Sequence, residues 1–597
     1  MKRFIISFLG SLTALWITII ISFFLVLVTV VGITSASGGS IKKVDSHSIL
    51  AISLEGVVVD RPAPTSFMEA LSGGFENRSI ALNQLTAALE NAADDSRIEG
   101  VFLDCKGISV GMAQLLTISD ALKKFRKSGK WVYAYGDDYT QGDYYLAATG
   151  ADSVWINPVG MLDIHGLEAT TLYFKELLDK LGVEVQVLKV GTYKSAVEPF
   201  ILDSMSSANR EQQEHFLGSI WKTIAGNIAE ARSVGIDTVN VWADSYSYTM
   251  PAEWLLENGI VDAIHYRQEV LTKMGEMTEA EKAYKPRMVS LADYVDACGL
   301  TSGVKSNDSD KKKKQIAVLY AVGDITEDAS EGIASERLVP EIYDLIDDDK
   351  ISGLILRVNS GGGSAFASEQ IWQALEQFKA KTGKPFYVSM GDYAASGGYY
   401  ISCGADKIFA EPVTLTGSIG IFGMIPSAEK LLSDKLGVNS GTVATNATRS
   451  ITLFKPMTEN QRMKMQSYVD RGYELFTSRC AEGRHLSVDS IKAIAEGRVW
   501  DGKSALEIGL VDSLGSLDDA VAAMAGELGV YDDNNFYVVE YPKVKLSFLD
   551  EILSAGDIMS AKAIENNLGP VAPVIRSVKE LRNLDPMQCR MDYILIN

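Results

Sequence analysis

The sequence predicts an α/β protein made of two tandem copies of one domain, set behind a single apolar N-terminal segment. Three observations predict it. Apolar strand-like runs alternate with helical stretches of about 10–15 residues, the pattern of βα units feeding a mostly parallel sheet. That pattern occurs twice. IEGVFLDCKG from Ile98 runs like ISGLILRVNS from Ile351, KSGKWVYAYGDD like KTGKPFYVSMGD, YYLAATGADSVWINPVG like YYISCGADKIFAEPVT, and ENGIVDAI like EIGLVDSL; a long-period repeat sets the architecture. Finally, 597 residues exceed what one core organises.

The segments follow in order. After Lys2 and Arg3, a nearly uncharged run from Phe4 to about Ile33 exceeds the ~20 residues that span a bilayer. It is also longer than the apolar core of a cleavable signal peptide, so residues 1–36 are expected to be an uncleaved membrane anchor. Lys2 and Arg3 are nearly balanced by Lys42 and Lys43, so charge sets its orientation only weakly. Residues 48–300 form the first copy, with Leu115, Ile118, Leu122 and Phe125 at helical spacing. The polar stretch 301–314, ending in four lysines, reads as a linker. Residues 315–540 form the second copy, with Ile371, Leu375 and Phe378 on its matching helix, and 541–597 read as a helical tail of no legible role.

Composition excludes several classes of function. A net charge of −21 argues against broad binding to nucleic acid or anionic lipid. Cys105, Cys298, Cys403, Cys480 and Cys589 form no CxxC pair, and the five histidines have no ligand spacing, so no disulfide framework, metal or cofactor is expected.

The copies differ where chemistry is expected. The second has the turn Asn359-Ser360-Gly361-Gly362-Gly363, whose N–H groups can approach a ligand closely; the first has Lys106-Gly107-Ile108-Ser109-Val110. The second also has AASGGYY, with Ser396 between the strand PFYVSM and a helix start; its counterpart is Gln141 or Gly142. A serine there, with the N–H of Gly397 and of Gly362 or Gly363 as two oxyanion donors, suits acyl transfer. Alone, a Ser-Gly-Gly turn is equally an ordinary helix cap. No histidine follows at a recognisable spacing, so another base is required. The first copy offers Lys194 in LKVGTYKSAVEPF, where the second, aligned on Pro199 and Pro456, has Ile451. The copies have thus lost complementary parts of one site. Such a lysine must be desolvated to be neutral and act as a base.

GTYKSAVEPF, NSGGGS, ASGGYY and TGSIGIFG together resemble the long, duplicated form of the signal peptide peptidase A family, over nearly the whole chain. The resemblance implies a crotonase-like fold of repeated ββα units, shared with the Clp peptidase subunit, in a serine peptidase of the bacterial cytoplasmic membrane with its body on the periplasmic side. It implies Ser396 as nucleophile, Lys194 as general base, Ser418 of TGSIG as the residue orienting the lysine amine, and Gly363 and Gly397 at the oxyanion positions. Cleaved signal peptides and similar apolar peptides would be the substrates, a homotetramer the assembly, and nucleic acid no partner. The chain departs from the family at Gly361, where the turn often has proline; this removes no donor. The rival readings are a crotonase-type acyl-CoA enzyme, which would need no Ser396, and a non-catalytic membrane scaffold.

Overall fold

The structure is a computed structural model that describes residues 16–18, 21, 43–62, 79–300, 314–328, 332–446, 450–530, 536–543 and 587–591. All but four positions of the expected anchor, and linker residues 301–313, lie outside these. Among the described residues no helix is long and apolar enough to cross a membrane.

The strands of the first half are β1 (Ser48–Val59), β2 (Ser79–Ala81), β3 (Ile98–Ser109), β4 (Trp131–Gly136), β5 (Ser153–Ile156), β6 (Glu184–Val190), β7 (Ala263–Ile264) and β8 (Met288–Ser290). Those of the second are β9 (Lys314–Val322), β10 (Ile325–Thr326), β11 (Ile333–Ala334), β12 (Ile351–Ser360), β13 (Gly362–Ser364), β14 (Phe386–Ala395) and β15 (Lys407–Ala410). They continue with β16 (Leu415–Gly417), β17 (Ile421–Ser427), β18 (Val499–Asp501), β19 (Ser513–Leu514), β20 (Phe536–Tyr541) and β21 (Gln588–Arg590).

Each half has its own large sheet. The first runs β2-β1-β3-β4-β5-β7 with β8 beside β1, and every pairing is parallel. The second runs β18-β16-β14-β12-β9-β20, with β15 on β14 and β19 on β15; only β16–β18 is antiparallel. Helices cover such sheets, so their central strands are near-continuous apolar runs, as in VFLDC of β3 and LILRV of β12. The duplicated sequence therefore gives a duplicated α/β architecture.

A third sheet joins the halves, in the order β11-β10-β13-β21-β17-β6. Here β6 of the first half pairs antiparallel with β17 of the second from Ile421↔Val190 to Ser427↔Glu184. The cores also merge, since Ala395, Val413, Leu415, Val499 and Met591 pack with the first half's buried side chains. Two expectations need correcting. Lys314 is the first residue of β9, held there by β20, and does not end a linker. The described part of the C-terminal tail is strand, not helix: Tyr541 completes β20, and β21 lies between β13 and β17. Its unpaired sheet edges outweigh the helical pattern of its sequence.

Candidate active site

The glycine turn is fixed from both sides. The side chain of Ser360 accepts a hydrogen bond from the N–H of Gly362 (3.1 Å), and Ser364 at the end of β13 caps helix Ala365–Thr382 through the N–H of Ala367 (3.2 Å). Asn359 at its start donates to Asp60 of the first half and to Asp392, both at 3.1 Å. Asp392 in turn accepts from the N–H of Ala113 (2.8 Å), at the start of helix Met112–Arg126 of the first half. The turn is thus held by both halves. Gly363, at φ 158°, admits no side chain: a Cβ there would lie 2.0 Å from the Ile325 carbonyl oxygen.

Ser396 sits between β14 and helix Gly397–Tyr400 with φ 56° and ψ −113°, a conformation costly for a residue with a Cβ. Its N–H donates to the Gly417 carbonyl (2.7 Å), which holds it there. The helix that follows is one turn long, so the field of a long helix contributes little, and the N–H of Gly397 itself is what faces the turn. A Cβ on Gly362 would meet that nitrogen at 2.7 Å.

Lys194 follows β6, in a loop docked on the second half. The N–H of Tyr193 donates to the Glu496 carbonyl (2.9 Å), and a Cβ on Gly497 would lie 2.8 Å from the Cα of Lys194. Lys194 Nζ lies 2.7 Å from Ser396 Oγ and 3.0 Å from both Ser418 Oγ and the Ser418 carbonyl oxygen. Ser418 Oγ also donates to the Gly497 carbonyl (3.3 Å). Ser396, Lys194 and Ser418 are 0%, 1% and 2% exposed. Ser418, like Ser396, has a positive φ, 48°.

The structure therefore brings Ser396, Lys194, Ser418, Gly363 and Gly397 of one chain into one closed site at the junction of the halves. An amine that can accept a proton touches a hydroxyl in a site closed to solvent. Two groups of residues escaped the sequence reading. Ser360 braces the turn from its first position, where only its place beside three glycines marks it. Glu496 and Gly497 seat the lysine loop from about three hundred residues away, and nothing local in the sequence links them.

The family model for peptidase family S49 matches residues 124–281 and 378–531. Protease 4 of Salmonella typhi is 36% identical over 578 residues, covering 93% of this chain and 91% of the relative. Protease 4 of Haemophilus influenzae is 33% identical over 582 residues, covering 95% and 93%. The chloroplastic serine protease SPPA of Arabidopsis thaliana is 28% identical over 562 residues, covering 93% and 79%.

Proposed function

The chain belongs to peptidase family S49 and is a serine peptidase, and from that premise we propose that it cuts peptides with a Ser-Lys dyad split between its halves. Neutral Lys194 takes the proton of Ser396 Oγ as the oxygen attacks a peptide carbonyl. The N–H groups of Gly363 and Gly397 hold the oxyanion, and protonated Lys194 then donates to the leaving amine. Water, activated by the same amine, hydrolyses the acyl-enzyme. Ser418 keeps the amine aimed at Ser396. The observation that carries this reading is the 2.7 Å contact between Lys194 Nζ and Ser396 Oγ in a closed pocket.

The substrates are cleaved signal peptides and similar apolar peptides, a reading supported by the motif resemblance. Each half has the crotonase type of α/β fold. Residues 1–36 hold the protein in the bacterial cytoplasmic membrane with its body on the periplasmic side, and copies associate as a homotetramer. Exposed apolar side chains such as Leu172, Leu181, Leu436 and Val438 support contacts between copies.

A fluorophosphonate tests the dyad directly. It labels Ser396 in the native chain, and labelling and peptide cleavage are both lost in Ser396→Ala and in Lys194→Met, with circular dichroism unchanged. Undiminished cleavage by folded Lys194→Met would sink the proposal.

A further inference from the structure

Helix Ser207–Ala231 of the first half buries Phe216, Ile220, Ile224 and Ile228 four residues apart, a stripe that faces the core. Toward the helix N-terminus the same stripe turns polar. Asn209, Gln212 and Gln213 continue it and are only 1%, 1% and 4% exposed. The long helix of the second half, Glu459–Arg484, buries no amide side chain. The half that carries the lysine is thus the one with amides in its stripe. A buried amide costs free energy unless its donors and acceptor are used, so the partners of these three show what they do.

Gln213 stays within the helix, donating to Asn209 Oδ1 (3.2 Å), and Asn209 donates to Glu198 (3.3 Å) at the end of the lysine loop. Gln212 reaches across the interface between the halves. Its Nε2 lies 3.1 Å from the Tyr193 carbonyl oxygen and 3.3 Å from Ser195 Oγ, on the two residues that flank Lys194, and 3.0 Å from Asn209 Oδ1. Its Oε1 accepts from the N–H of Val499 (3.1 Å) in the second half. That N–H can only donate, so the amide has one orientation, oxygen toward the second half and nitrogen toward the lysine loop. Val499 opens β18 and stands opposite Gly417 of β16, whose carbonyl holds the N–H of Ser396. Beside it the Arg498 carbonyl accepts from the N–H of Ser418 (2.7 Å). One side chain therefore ties both neighbours of Lys194 to the strand pair that holds Ser396 and Ser418.

We propose that Gln212 is a positioning residue of the peptidase: it bonds to none of the reacting atoms, and it sets where Lys194 Nζ stands relative to Ser396 Oγ and Ser418 Oγ. A lysine has a long, flexible stem, so its amine is only as well placed as the backbone that carries it. The base must stay within hydrogen-bond reach of the proton it takes, and a displacement of about 1 Å can cost about 10²-fold in rate. Without the amide, the Tyr193 carbonyl and Ser195 lose their tie to β18, and the lysine relaxes away from Ser396. The glycine turn, braced by Ser360 and Asn359, stays as it is. The effect therefore falls on turnover and not on substrate binding.

The proposal rests on Lys194 as the base of Ser396, and Lys194→Met is measured beside the new variants to keep the two ideas apart. In the full chain, Gln212→Met, apolar and of nearly the same length, is compared with Gln213→Met, which alters a buried amide of the same helix away from the lysine loop. Gln212→Met is expected to lower kcat on a peptide substrate by about 10–10²-fold, with KM within about twofold of native. It should also displace the pH profile of kcat. The charged groups around the loop, Glu198, Glu211, Glu496 and Arg498, are the same in that variant, so a displaced profile reports the lysine's place. Gln213→Met should keep the native kcat and profile whatever its loss in urea midpoint. Gln212→Glu keeps an acceptor for Val499 and loses the amide donor to the Tyr193 carbonyl, so its kcat should fall between, about fivefold down. If circular dichroism shows Gln212→Met unfolded, Gln212→Glu decides the question by the same two readouts. Native kcat and profile in a folded Gln212 variant, with Lys194→Met inactive, would overturn this proposal alone; cleavage by Lys194→Met would overturn the dyad with it. A loss confined to KM, or one matched by Gln213→Met, would also overturn it and leave Gln212 a brace for the fold.

Discussion

The two halves carry corresponding segments at the ends of β3 and β12, and they differ in what their backbone N–H groups face. In the second half β12 breaks at Gly361, and β13 begins with the two glycines beside Ser396. In the first half β3 runs unbroken to Ser109, and the carboxylate of Asp143 fills the space: it accepts from the N–H of Gly107 (2.9 Å) and Ile108 (3.3 Å) and from Thr140 Oγ1 (2.8 Å). Asp143 stands where the second half has Gly398. Gln141, in the place of Ser396, is occupied in bonding the loop at His165 and Gly166. Ile164, fully buried, replaces Ser418. One half keeps a carboxyl group in the donor turn, and in the proposed mechanism the other half's donors are left for an anion that forms during reaction. The difference teaches that the donors are a property of the fold, whereas the nucleophile, its base and the space between them are not.

Writing the first half's residues into the second should remove activity, most of all at the turn. Gly363→Val, matching Val110, forces a side chain onto the Ile325 carbonyl. It is expected to lower kcat by about 10²–10³-fold, the usual cost of losing an oxyanion donor, with peptide turnover as the measurement and the thermal midpoint as a control for folding. A near-normal kcat would break the assignment of Gly363. Ser418→Ala, which removes the hydroxyl 3.0 Å from Lys194 Nζ, should lower kcat by about 10–10²-fold with KM little changed. Because Ser418 acts through the lysine, its loss should also displace the pH profile of kcat. An unchanged profile would leave it only a packing role.

The converse change, in the first half, should affect stability alone. Asp143→Ala strands the N–H of buried Ile108 and leaves that of exposed Gly107 to water, a loss of about 2 kcal/mol. Urea unfolding measures it, and kcat/KM should not move. A fall in kcat/KM at unchanged stability would show that the first half's turn takes part in the reaction after all.

Much of this comparison was legible in the sequence because the two copies act as each other's control. The paired loss of Ser396 in one and Lys194 in the other needed no coordinates, and neither did the alternation of strands and helices, since apolar runs such as LILRV have few alternatives. What was not legible lies where distant segments meet. Asp143 looks like an ordinary first-turn helix residue, and only the fold turns its carboxylate onto Gly107. Glu496 and Gly497 meet the lysine loop by tertiary packing alone. In the tail, MQCRM has neither the alternation nor the flanking turn of a strand; two open sheet edges impose that conformation on it.

The interface between the halves supplies the smallest and most conditional difference. Glu411 aligns with Asn157 of the first half, yet Glu411 is buried against helix Met112–Arg126, its carboxylate accepting from Thr117 Oγ1 at 3.0 Å. Burial pushes its carboxyl up from 4.5 to about 7. The folded chain then holds this proton more tightly than the unfolded chain does. Between pH 4.5 and about 7 the native state binds more protons, so this group's contribution to stability is full below pH 4.5 and is lost as pH rises to about 7. Glu411→Gln keeps an oxygen for Thr117 and cannot ionise. It should flatten that part of the pH dependence and be more stable than the native chain at pH 8, by a margin on the order of 1 kcal/mol. Urea midpoints for both chains at pH 5 and pH 8 decide it: parallel pH slopes would mean that Glu411 finds compensation for its charge at the interface, and that the two halves meet there no differently from the way the first half packs around Asn157.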